Sequence, residues 1–153
     1  AMQAVSTATE HAQEAESLVQ QVRKLGLIPR VVMPGWRSIE YIQDLAATAR
    51  IGIFPSRIET FGLSVAEALG SGLPVIATSA GALPEIVEDG VTGTLVPPQD
   101  PQALASAILT ALADAGNSNR MTEQGREGAR QQFSWDATAR QLIAIYEQEL
   151  KAV

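Results

Sequence analysis

Two glutamates bracket the segment of this sequence whose residue types and spacing can do chemistry. Pro55-Ser56-Arg57-Ile58-Glu59-Thr60-Phe61-Gly62 leaves a short apolar run at residues 51–54 (IGIF) and feeds directly into a helical pattern that ends at Gly70 or Gly72. Gly62 has no β-carbon, so a ligand can approach the backbone closely there. The next amides, of Leu63 and Ser64, fall in the first turn of the helix, where N–H groups lack carbonyl partners. Such a terminus suits phosphate, through aligned donors and the positive end of the helix dipole. Glu59 stands just before it and Glu67 in its second turn. Glu67 is enclosed by Val65-Ala66 and Ala68-Leu69, which predicts a buried helix and a carboxylate held by hydrogen-bond donors. A ribose diol supplies two such hydroxyls. Glu59, nearer the mouth of a cleft, is placed to accept from sugar hydroxyls. The plainer alternatives are a solvated Glu67 and an ordinary loop acid at Glu59, and spacing alone leaves both open.

Composition removes most competing chemistries. The 153 residues fit one domain, with 46% apolar residues to build its core. There are no cysteines, which excludes a disulfide framework, a zinc ribbon and a thiol nucleophile. The single histidine, His11, lies in a polar stretch, so neither a Ser-His-Asp triad nor a histidine metal site can be completed within the chain. A net charge of −6 argues against nucleic acid as a partner, and 5% aromatic residues are too few for a base-stacking platform. No run of about 18 apolar residues is present to span a membrane. The first residues carry no apolar signal region, and the expectation is a cytoplasmic protein. Neither a G-x-G-x-x-G nor a G-K-[ST] loop occurs, so the dinucleotide and P-loop fingerprints are absent.

The elements that must position the acids alternate in period. Residues 1–9 read as a polar leader outside the fold. Ala15, Leu18, Val19, Val22 and Leu25 follow helical spacing, closed by Gly26. Residues 28–33 (IPRVVM) predict a strand ended by Pro34-Gly35. Ser38 caps a helix running to about Ala49, and residues 51–54, 73–77 and 94–96 predict three more strands. A short helix is expected over 82–88, and longer ones over 100–114, 118–132 and 136–151. Strands alternating with helices, and apolar on both faces, predict an α/β fold: a Rossmann-like parallel sheet with helices on both faces. Arg120, Arg126 and Arg130 read as a solvated helix face.

The motif block resembles the GT-B glycosyltransferases of family 4. Pro55 to Ala68 gives Pro-Ser-x-x-Glu-x-Phe-Gly-Leu-x-x-x-Glu-Ala, followed by Gly72-x-Pro74-Val75-Ile76 and Gly81-x-x-Pro84-Glu85-Ile86-Val87. Asp89-Gly90-Val91-Thr92-Gly93 and Phe133-Ser134-Trp135 complete the series, and the resemblance covers roughly residues 15 to 150. It implies residues 10–153 are part of a C-terminal donor-binding domain, the C-terminal half of a GT-B fold truncated at its N-terminal side. The implied reaction moves a hexosyl group from a UDP-, GDP- or ADP-sugar to an acceptor hydroxyl, with retention and without a metal or other cofactor. The resemblance implies ribose binding by Glu67, a catalytic position facing the donor sugar for Glu59, and sugar contacts from the Phe61 and Gly62 amides. The Leu63 and Ser64 amides would hold the diphosphate. Base contacts would come from the 34–37 loop with Trp36 and Arg37, for which simple packing and a solvated charge are the alternatives.

The pattern is also incomplete. Nothing corresponds to the family's N-terminal acceptor domain, nor to the first strands of the C-terminal domain with their Arg and Lys. Arg23 and Lys24 lie on a later helix and do not match that pair. In the order 3-2-1-4-5-6, the missing strands separate IPRVVM from IGIF. The expectation is therefore either a rearranged sheet, with IPRVVM beside IGIF, or a homo-oligomer formed by strand exchange. By itself the chain is expected to be inactive in transfer. In the full-length enzyme, peripheral membrane association stays open. The rival readings are a sugar-nucleotide epimerase relative and a binding or structural module on the same fold.

Overall fold

The computed structural model describes residues 2–151, with side chains from Gln13 onward apart from those at 115 and 151. The side chain of His11 and the whole of Ala1 lie outside the described set. The chain divides into two compact units between Ser38 and Ile39.

In the first unit, α1 (Met2–Lys24) begins earlier than expected and takes in the polar stretch read as a leader. Gly26 closes it, with the Leu27 amide donating to the Val22 carbonyl at 2.9 Å. The strand expected over 28–33 does not form. Ile28–Arg30 is a 3-10 turn, with the Arg30 amide donating to the Leu27 carbonyl at 2.8 Å, and Val31 is extended but unpaired among the described residues. Val32 is 82% exposed. A strand requires a neighbour for its N–H and C=O ladder, and β-branched composition cannot replace one.

In the second unit, α2 (Ile39–Thr48) leads to β1 (Gly52–Phe54), α3 (Leu63–Ser71), β2 (Val75–Thr78), the single turn α4 (Leu83–Ile86) and β3 (Thr94–Val96). Three helices follow: α5 (Pro101–Ala113), α6 (Ala115–Phe133) and α7 (Trp135–Lys151). The sheet has three parallel strands in the order β1-β2-β3, with Ile53 opposite Ile76 and Ala77 opposite Leu95. IPRVVM is not among them, so the expected rearrangement to a four-stranded sheet is not found. All four residues of β2 are buried, which requires cover on both faces. Val75 and Ala77 join Val65, Ala68 and Leu69 of α3, Leu83, Val87 and Ala129 of α6 in one core. Ile76 alternates to the other face, where it lines a small cavity with Ala107 and Ala111 of α5.

Local chemistry places the helix ends. Asp100 accepts from the Gln102 and Ala103 amides at 3.1 and 2.9 Å, with Pro101 at the first helical position. Asp114 caps α6 through the Asn117 amide at 3.0 Å, starting that helix three residues before the expected position. α3 ends at Gly72, whose amide donates to Leu69, while that of Leu73 reaches back to Ala68. Leu69, 2% exposed, sits at the centre of this packing. Leu69→Ala should lower stability by about 3 kcal/mol through lost contacts and a residual cavity. Ile58→Ala, at an exposed loop position, should change it by less than about 0.5 kcal/mol, so denaturant midpoints of the two variants check the assignment of the core.

Candidate functional site

The carboxyl ends of parallel strands are where such sheets bind ligands, and the loop from β1 to α3 lies there. Its geometry follows from four backbone constraints. Thr78 Oγ1, at the end of β2, donates to the Ser56 carbonyl at 2.6 Å. Four residues on, the Ala82 amide donates to the Glu59 carbonyl at 3.1 Å. Gly62 turns into α3 with φ +84°, a left-handed conformation, and its α-carbon faces α4. A Cβ there would stand 2.7 Å from Ile86 Cδ1 and 2.8 Å from Leu83 Cδ2.

Glu59 is held within its own loop. Its Oε1 accepts from the Thr60 and Gly62 amides at 3.1 Å each, with the Phe61 amide at 3.5 Å. The half-buried carboxylate thus organises the turn that the resemblance assigns to the donor sugar. The amides of Leu63 and Ser64 have no hydrogen-bond partner among the described residues and remain available as donors at the tip of α3. The Phe61 ring packs edge-on against Phe133, with centroids 6.4 Å apart, so its amide rather than its ring belongs to the tip.

Glu67 is not buried, which corrects the expectation drawn from its apolar neighbours. α3 presents Val65, Ala66, Ala68 and Leu69 to the core, and the stripe Ser64, Glu67, Ser71 to the outside. The spacing i, i+3, i+7 places these three on one face. Ser64 and Glu67 border a groove of about 560 Å³, walled by Ile39, Ile42 and Gln43 of α2 and Phe54 of β1. That volume lies within the range of small-molecule sites. The groove's α2 wall had no sequence signal beyond apolar helical spacing.

Trp36 and Arg37 belong to the first unit, and the tip to the second. Trp36 is 97% exposed, and Arg37 Nη1 donates to the Trp36 carbonyl at 2.9 Å. Among the described residues, no three His, Cys, Asp or Glu gather into a set able to hold a metal ion.

Sequence reasoning missed two features of this site. One is the return of the Glu59 carboxylate to the Gly62 amide three residues on, a spacing familiar from helix caps and readable in Glu-x-x-Gly. The other is the closure of the 78–82 segment on the loop, for which the sequence holds only an unexplained glycine, Gly81.

A helix tip with free amides opens at the strand carboxyl ends, beside the groove that Ser64 and Glu67 border, on an α/β domain with a parallel sheet. The chain belongs to the glycosyl transferases of group 1, whose sequence profile matches residues 5–114. It is similar to an MMP alpha-(1->4)-mannosyltransferase of Mycolicibacterium hassiacum, 35% identical over 133 residues, covering 86% of this chain and 32% of that protein. Among solved structures, the sucrose-phosphate synthase of Thermosynechococcus elongatus superposes with a TM-score of 0.81 and 37% identity over 92% of this chain and 35% of the other. The Anabaena protein HepE, in complex with UDP-glucose, gives a TM-score of 0.78 and 34% identity over 91% and 37%. The chain thus spans about a third of the length of the proteins it matches. The GT-B resemblance read from the motif block agrees with these findings.

Gly62→Ala should be among the most damaging single-methyl additions in the loop. Positive φ and contact with Leu83 and Ile86 together should cost about 1–3 kcal/mol. A thermal melt of the variant beside wild type measures it, and an unchanged melting temperature would contradict the close packing of Gly62 on α4.

Proposed function

We propose that this chain is the donor-binding part of a retaining, metal-independent glycosyltransferase, which moves a hexosyl group from a nucleoside-diphosphate sugar to an acceptor hydroxyl. The observation that carries the reading is the tip of α3, where the Leu63 and Ser64 amides stand unpartnered beside the groove rimmed by Ser64 and Glu67. The diphosphate lies against these amides. The ribose hydroxyls reach the Glu67 carboxylate, and the base lies along Ile39, Ile42 and Phe54. The sugar faces the turn held by Glu59, with its Phe61 and Gly62 amides. HepE, whose structures hold UDP, UDP with glucose and UDP-glucose, supports a nucleotide-sugar donor by similarity.

In this reading the acceptor hydroxyl forms a bond to the anomeric carbon as the bond from that carbon to the diphosphate oxygen breaks. The hydroxyl proton leaves with the departing diphosphate. The tip stabilises the charge growing on the leaving oxygens, through preorganised amides and the helix dipole. Glu59 holds the Thr60 and Gly62 amides of the adjoining turn. The acceptor and the cations that neutralise the diphosphate come from the remainder of the protein, so this chain by itself performs no transfer. The outer edge of β1, where Ile53 is exposed, has no strand beside it among the described residues. We read that edge as completed by preceding chain in the intact protein, and by strand exchange between copies when this segment stands alone. No described helix is long and apolar enough to cross a membrane. We read the intact enzyme as cytoplasmic, with any membrane association peripheral.

Calorimetric titration of the intact protein with UDP-glucose, GDP-mannose and ADP-glucose tests the reading. One of the three should bind, and Glu67→Gln should weaken it by about tenfold or more, since hydrogen bonds to a charged group contribute about 1.5–3 kcal/mol. Absence of heat with every donor would leave a structural module on the same fold.

A further inference from the structure

Gly81 is the residue of the site region whose lack of a side chain has the largest geometric consequence. It follows β2 in Ser79-Ala80-Gly81-Ala82 and has φ +53°, in the left-handed region. A Cβ built on it would overlap the Glu59 carbonyl oxygen and stand 2.9 Å from the carbonyl carbon and 3.1 Å from the Glu59 nitrogen. These are backbone atoms, which cannot swing aside as a side-chain end does. The bare α-carbon lets the 79–82 segment lie directly on the Glu59 peptide, and the next amide, of Ala82, donates to the same carbonyl oxygen at 3.1 Å.

The contact is transmitted to the ligand side of the turn. With its carbonyl held by Ala82, the Glu59 residue directs its carboxylate to the Thr60 and Gly62 amides. The start of α3 has a separate anchor, because Val65, Ala66, Ala68 and Leu69 are buried in the core. The Glu59 end of the turn and the free amides at 63–64 therefore have different principal anchors, joined at Gly62, whose carbonyl accepts from the Val65 and Ala66 amides at 3.0 Å each.

We infer that Gly81 is a positioning residue for the sugar half of the donor site, acting through the Glu59 peptide. The inference rests on the donor reading above and assigns a division of labour within it: the core sets the diphosphate amides, and Gly81 sets the turn that meets the sugar. A displacement of the turn by about 1 Å is enough to disturb the sugar strongly. The same displacement leaves the nucleoside diphosphate on its own amides and on Glu67.

The test compares UDP with UDP-glucose in the intact protein, with GDP/GDP-mannose and ADP/ADP-glucose as parallel pairs, by calorimetry on wild type and Gly81→Ala. The variant should lose about tenfold or more in affinity for the nucleotide sugar, while affinity for the matching diphosphate stays within about threefold. A purely structural role for Gly81 would weaken both ligands equally, and that result would overturn the inference. So would equal affinities in variant and wild type. If wild type binds neither member of any pair, the donor reading itself fails, and the inference with it. Should Gly81→Ala not fold, Ala82→Pro carries the same comparison. Ala82 has φ −77°, within proline's range, and the substitution removes the amide that donates to Glu59.

Discussion

The structure depends on α3 serving two environments at once. One face buries Val65, Ala66, Ala68 and Leu69 against the central strand and α6. The other carries Ser64, Glu67 and Ser71 along an open groove. A helix of nine residues has little intrinsic stability in water, so the packed face is what keeps it folded. Because that face is fixed, the N-terminal amides stand at a fixed place and direction. The geometry of the tip and of the open face is thus a by-product of core packing.

Around this helix the site is built mainly from backbone. Glu59 gathers amides, Thr78 and Ala82 hold carbonyls, and Gly62 and Gly81 are needed because backbone or side-chain atoms occupy the space where their β-carbons would be. Backbone dipoles held in this way need no reorganisation when charge develops on a ligand. Such a site can also tolerate variation in many of its side chains. The groove wall on α2, by contrast, is made of the side chains of Ile39, Ile42 and Gln43.

Several large apolar side chains are exposed among the described residues. Leu142, Ile145, Tyr146 and Leu150 of α7 are exposed, as are Ile39, Ile42 and Leu45 of α2 and Ile53 at the sheet edge. The chain spans about a third of the length of the proteins it resembles. IPRVVM forms no strand. Its composition suits a sheet, yet no paired neighbour exists to satisfy its backbone among the described residues.

Some of this was legible in the residues themselves. The three paired strands, the helices between them and the start of α3 beside Gly62 follow from apolar periodicity, Gly and Pro punctuation and the rule that parallel strands need crossovers, whereas the bare α-carbon of Gly62, expected to admit a ligand, packs against Leu83 and Ile86 instead. The motif from Pro55 to Ala68 was enough to point to the family. Three outcomes were set only by tertiary contact. Glu67 faces outward because burial is decided by which side of α3 meets β2 and α6, not by the apolar residues next to it in the chain. Residues 28–33 form no strand because hydrogen-bond partners come from elsewhere in space. Gly81 matters because the Glu59 carbonyl, twenty-two residues earlier, occupies the space a side chain would need. Local sequence sets which conformations are inexpensive, whereas the choice of neighbour belongs to the folded chain.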